Sequence, residues 1–155
     1  MRALRQLPLF LLLAGGGALS MLVPAVVALG REEFHIARSF FYAGLLGTLI
    51  VALIAVARAG RPPERDSARQ LLALLAAFVV LPAGLAVPFH EALRTTSFLN
   101  AYVEMVSCLT TTGATLFAPE RLSPELHLWR AQVGWMGGFV IWTAAAAILA
   151  PLSLG

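Results

Sequence analysis

Lysine is absent from this chain, so all 11 residues of the Lys/Arg class are arginine. Charge of either sign is scarce at 12%, about half the roughly 25% of soluble domains. That scarcity excludes an ordinary soluble domain, because 59% of the residues are hydrophobic and the mean hydropathy is +0.84. With a single cysteine, Cys108, neither an intramolecular disulfide nor a cysteine-based zinc cluster is possible, and a buried, inert thiol is expected. No nucleophile–base pair, phosphate-cradling glycine loop or cluster of metal ligands is visible, so no enzymatic activity and no cofactor is expected. The pI near 10.0 does not point to nucleic acid, since the arginines lie scattered at segment ends and form no basic face.

Long uncharged stretches are what the chain does have. They run over Gln6–Gly30, Ser39–Ala57, Gln70–His90 and Ala131–Gly155, and each suffices for the roughly 20 residues a helix needs to cross a bilayer. A fifth, Met105–Pro119, is too short to span. The predicted fold is therefore an all-α integral membrane protein of four transmembrane helices plus a re-entrant half-helix and loop. Residues 1–60 form an N-terminal hairpin, and residues 61–155 a helix–loop–helix unit. Met1–Ser20 has the basic start and small residues of a secretory signal. Its apolar run continues to Leu29, beyond any signal core, so a retained helix is predicted.

Arginine placement sets the orientation. Arg2, Arg5, Arg58, Arg61, Arg65 and Arg69 fall on one side against only Glu64 and Asp66. Arg31, Arg38, Arg94, Arg121 and Arg130 are outnumbered on the other by Glu32, Glu33, Glu91, Glu104, Glu120 and Glu125. Both termini and the Arg58–Arg69 loop, with its Pro62-Pro63 turn, are then cytoplasmic, and the short piece faces outward.

Within that piece, Thr110-Thr111-Thr112-Gly113-Ala114-Thr115 is a polar, turn-prone hexapeptide between apolar stretches. Non-helical backbone is tolerated at membrane depth only where it is buried in protein or lines a watery cavity. Upstream, Phe98, Ala101, Tyr102, Met105, Val106 and Leu109 recur as one apolar helical stripe, and Asn100, Glu104 and Ser107 recur on another face. Thr95, Thr96 and Ser97 supply N-cap oxygens, and the helix should end near Leu109 or Thr110. Its carbonyl end then points into the loop with a partial negative charge. Threonine carbonyls and hydroxyls can replace a cation's hydration shell, and Gly113 frees the backbone to turn. Thr111, Thr112 and Gly113 are the first-choice donors for a monovalent cation, with Thr110 and Ala114 as adjoining rungs. Glu104 is expected to brace the loop by accepting from its amides. The plain alternative is a helix cap with Gly113 as the left-handed residue.

The stretch Asn100-Ala-Tyr-Val-Glu-Met-Val-Ser-Cys-Leu-Thr-Thr-Thr-Gly-Ala-Thr115 resembles the first pore loop of the Trk/Ktr/HKT potassium transporters. Leu128-Trp129-Arg130-Ala131-Gln132, Trp135-Met136-Gly137-Gly138 and Ala147-Ile148-Leu149-Ala150-Pro151 resemble the helix that follows it, most closely in the TrkH branch. The resemblance implies a potassium-uptake subunit of a bacterial inner membrane, with potassium at Thr111 and Thr112 and Asn100 and Glu104 supporting the filter. It also implies a cytosolic nucleotide-binding regulatory partner. Val106 and Cys108 stand where the family has small polar or glycine residues, and Phe139-Val140 replaces a glycine-containing pair. Such pores comprise four units. One unit supplies a quarter of a carbonyl ring, so the chain is expected to be a fragment of a longer protein or to join identical subunits. The rival expectation is a non-conducting scaffold or assembly subunit.

Overall fold

The computed structural model describes residues 9–58 and 67–149, and all of the regular structure among them is helical. The Pro62-Pro63 turn, Arg2, Arg5, Arg61, Arg65 and the chain after Leu149 lie outside the described residues. α1 (Leu9–Ser20) and α2 (Leu22–Gly30) are separated only by Met21, which keeps helical angles (φ −61°, ψ −22°). They form one apolar rod, Phe10–Gly30, where the sequence predicts a single span. The interruption falls three residues before Pro24, whose missing N–H leaves the carbonyl of Ser20, the last residue of α1, without its helical donor.

α3 (Phe34–Ala57) lies along both halves of that rod. The approach is close: a side chain on Gly44 would meet the Ala18 carbonyl oxygen at 3.0 Å. α3 starts before the predicted Ser39 because His35 and Arg38 remain at its accessible end, where Arg38 Nε donates to the Phe34 carbonyl at 3.2 Å.

α4 (Ser67–Leu93) carries Pro82 and Pro88 within its length. A proline inside a helix removes one donor and pushes the preceding turn apart, which frees carbonyls for outside partners. In each case the carbonyl three residues before the proline is taken by a neighbouring helix. Tyr102 OH donates to the Val79 carbonyl at 3.0 Å, and Trp129 Nε1 donates to the Leu85 carbonyl at 3.1 Å. The two prolines thereby become docking points for α5 (Phe98–Leu109) and α6 (Pro124–Leu149).

The core sits where the N-terminal hairpin meets these helices. Phe40 and Trp129 are fully buried and meet edge to face at 5.4 Å, while Phe89 packs against Phe117 at 5.6 Å. Leu85, Met105, Leu126 and Val133 fill the space between. Among the described residues, three helices are long and apolar enough to cross a membrane: Phe10–Gly30, Phe34–Ala57 and Leu75–Leu93. Their outward faces stay apolar, as at Tyr42, Leu45, Leu49, Leu53 and Val56 of α3. The predicted Ala131–Gly155 segment falls within and beyond α6, which starts earlier, at Pro124. Proline is pre-organised for a first helical position, and Glu125 in the first turn suits the helix dipole.

Candidate functional site

α5 is short because both of its ends are written into the sequence. At the start, Ser97 is extended (φ −80°, ψ 154°) and its hydroxyl accepts the Asn100 amide at 3.3 Å. At the end, the Thr112 amide reaches back to the Ser107 carbonyl (3.0 Å) and the Thr111 amide to the Cys108 carbonyl (3.1 Å). Those two bonds define a Schellman stop with Thr111 at the left-handed position, φ 56°. The plain-cap alternative named Gly113 for that place. Gly113 is also left-handed, at φ 77°, but lies beyond the cap. A β-branched residue held left-handed costs about 1–2 kcal/mol, so the turn is maintained by its surroundings.

The face of α5 turned inward differs from the apolar stripe read in the sequence. Ala101, Met105 and Leu109 are buried as expected, but so are Glu104 and Ser107, while Phe98 is exposed. Those two polar residues reach the loop. Ser107 Oγ donates to the Ala114 carbonyl at 2.6 Å. Glu104, fully buried, accepts the Leu116 amide on Oε2 (2.9 Å) and the Thr115 hydroxyl on Oε1 (3.0 Å). Arg130 of α6 sets its Nε 2.8 Å from the same Oε1, an ion pair whose N–H direction falls short of a hydrogen bond. A buried carboxylate needs its lone pairs filled and its charge matched, and here both conditions are met from two sides.

α6 also seats against the end of α5. A Cβ on Gly137 would lie 2.0 Å from the Leu109 carbonyl oxygen, so only glycine permits this crossing. Gly138, its neighbour in the sequence pair, has nothing within 4 Å of its would-be Cβ.

Thr111, Thr112, Gly113 and Ala114 are all exposed along the loop, and Thr110 is half-buried. Thr110 Oγ1 donates to the Val106 carbonyl at 2.8 Å and shares a 2.8 Å hydroxyl contact with Thr112. The Ala114 carbonyl, engaged by Ser107, has the least freedom to face a ligand. Asn100 is exposed in the first turn of α5, at the end away from the loop, and its side chain has no hydrogen-bond partner among the described residues. Cys108 is a half-buried free thiol. Sequence reasoning missed Arg130, Ser107 and Thr115 as part of this arrangement. The available signal was the Glu104–Ser107 spacing, which puts both polar groups on one face of a helix whose length leaves nowhere else to place them.

Comparison with known proteins gives two relatives. The chain is 45% identical over 60 residues to the Trk system potassium uptake protein TrkI of Halomonas elongata, covering 38% of this chain and 12% of that protein. It is 28% identical over 130 residues to an uncharacterized cation transporter of Methanocaldococcus jannaschii, covering 83% of this chain and 27% of the relative. The chain thus spans about a quarter or less of the length of either protein. No protein-family model matches it, and no solved structure does. The chain is a distant homologue of cation transporters, similar to one of them over most of its own length.

Proposed function

We propose that the chain is a multi-pass membrane unit of a potassium-uptake transporter, contributing one wall of a carbonyl-lined selectivity filter. The observation that carries this reading is the loop itself: a strained turn at the carbonyl end of a half-length helix, braced from behind by a buried carboxylate. Left-handed backbone at Thr111 and at Gly113 breaks the two-sided carbonyl pattern of an extended strand and allows successive carbonyls to face one side. Thr111, Thr112 and Gly113 are the donors in this reading, Thr110 and Ala114 adjoin them, and the α5 dipole favours a cation beside them. Glu104 and Arg130 act as the brace. Asn100 has a supporting role only through α5. The relatives' printed names agree with potassium or another small cation as substrate.

The apolar outer faces of α1–α4 suit a lipid bilayer, α6 is the fourth span, and α5 with its loop is re-entrant. In the proposed topology both termini are cytoplasmic, in a bacterial inner membrane. Three further units, in a longer chain or as identical subunits, complete the ring, and a cytosolic nucleotide-binding subunit gates it. The test is potassium-limited growth of an uptake-deficient host carrying the chain, alone and with any continuation of its reading frame. Rescue abolished by Gly113→Asp is expected. Absence of potassium-dependent rescue in both arms overturns transport and leaves the scaffold reading.

A further inference from the structure

His35, in the first turn of α3, has both ring nitrogens engaged. Nδ1 lies 3.0 Å from a terminal guanidinium nitrogen of Arg94, and Nε2 lies 2.9 Å from the Glu91 carbonyl oxygen. A guanidinium only donates and a carbonyl only accepts. The ring roles are therefore forced: Nδ1 accepts, Nε2 carries the proton, and the imidazole is neutral. A second proton could enter only at Nδ1. It would abolish the bond from Arg94 and set two like charges face to face, while the bond to Glu91 survives.

Arg94 occupies a sensitive place. It follows the last turn of α4 with left-handed backbone, φ 55°, and its amide bonds the His90 carbonyl at 3.0 Å. The corner it opens runs through Thr95 and Thr96 to Ser97, the cap of α5. Arg121, in the 3₁₀ turn Pro119–Arg121 after the loop, reaches Thr95 Oγ1 at 3.4 Å. The corner is thus held to the N-terminal hairpin by His35–Arg94 and to the far side of the loop by Arg121–Thr95.

The other charged groups nearby are engaged elsewhere or exposed. The Glu91 carboxylate lies 3.6 Å from His90 Nδ1, Arg31 pairs with Glu125 at 2.9 Å, and Arg38 bonds its own helix. Glu32 and Glu33 are exposed in the α2–α3 turn, and α1 and α2 contain no ionisable residue.

We propose that His35 is a proton-operated latch between the N-terminal hairpin and the α4–α5 corner, closed when the imidazole is neutral and open in acid. Opening releases Arg94 and loosens the point from which α5 starts. The latch stands without the transport reading; only its consequence for ion passage through the loop rests on it, and the test below measures no transport.

The test uses the whole chain in lipid nanodiscs, at about pH 8 and about pH 5, either side of the range in which imidazoles change charge. Ring ¹⁵N shifts should show the Nε2–H tautomer of His35 at the higher pH. Amide exchange protection at Thr95–Phe98, corrected for intrinsic rates, should fall severalfold on acidification. His35→Gln, whose amide can accept from Arg94 and donate to Glu91 without titrating, should keep its protection at both pH values. Arg94→Gln should lack it at both. An Nδ1–H tautomer in the unsubstituted chain overturns the latch, as does an undiminished pH-dependent fall in His35→Gln.

Discussion

Glu104 and Glu125 are both fully buried, and the junctions that hold them are built in opposite ways. At the α5–loop junction, Glu104 receives an amide, a hydroxyl and the mostly buried guanidinium of Arg130. At the α2–α6 junction, neither oxygen of Glu125 has a hydrogen-bond donor among the described residues. Its partner is Arg31, 2.9 Å away through Nε, with a side chain 57% exposed. Burial of a carboxylate is tolerable when its lone pairs are filled, and Glu104 meets that condition by fixing the loop that fills them. Glu125 relies on a half-solvated arginine and on the positive end of α6, so its junction is a tether that yields more easily. The rigid junction lies under the candidate ion loop, and the softer one joins the hairpin to the rest.

Because Arg130 and Glu125 both project from α6, anything that moves α6 off α5 separates the two junctions most strongly. Gly137→Ala is expected to have the largest effect: the added methyl would lie 2.0 Å from the Leu109 carbonyl oxygen. A loss of at least about 3 kcal/mol, or failure to assemble, should appear in reversible unfolding in micelles. Gly138→Ala should stay within about 0.5 kcal/mol. Equal effects at the two glycines would mean that α6 does not cross α5 as described.

The next effect comes from removing the arginines. Arg130→Gln leaves the Glu104 charge buried without its counter-ion, which costs about 3–5 kcal/mol. Arg31→Gln removes a side chain that is itself more than half exposed and opens Glu125 to the water around it, so a smaller cost than at Arg130 is expected. Adding Glu104→Gln to Arg130→Gln should restore much of the stability, and a double-mutant cycle measures the coupling. Should Arg31→Gln prove the costlier change, the contrast between the junctions is reversed.

Periodicity and capping chemistry made the boundaries of α5 legible, since Ser97 starts it and the apolar repeat closes at Leu109. The three apolar spans followed from length and hydropathy, which depend on no tertiary contact. The buried face of α5 did not follow. Glu104 and Ser107 share a face in the sequence, with Glu104 expected to brace the loop, but nothing in that pattern says that α6 brings Arg130 against them. Gly137 and Gly138 are equivalent in the sequence, and only the helix crossing distinguishes them. The left-handed cap residue was sought at glycine because intrinsic preference favours it. The register of the Schellman bonds, counted from Ser107, places Thr111 there instead. Pro82 and Pro88 carry no sequence signal of their role, because what they free, a carbonyl, acquires a use only when Tyr102 and Trp129 arrive.

The smallest effect tests whether the rigid junction stores strain. Each junction contains a left-handed residue other than glycine: Thr111 at φ 56° beside the loop and Glu32 at φ 64° beside Arg31. The left-handed region costs an ordinary side chain about 1–2 kcal/mol, and a β-branched one falls at the upper end. Glycine relieves that cost but loses about 0.5–1 kcal/mol through its freer unfolded chain. Thr111→Gly should therefore gain up to about 1 kcal/mol, and Glu32→Gly should stay near zero. A stability gain at Thr111 accompanied by weaker discrimination between potassium and sodium in the growth assay would show that the strained threonine is kept for its carbonyl and hydroxyl placement. A loss of stability there would mean that the Thr110–Thr112 hydroxyl contact and the Glu104 brace already favour the left-handed turn, leaving no strain to release.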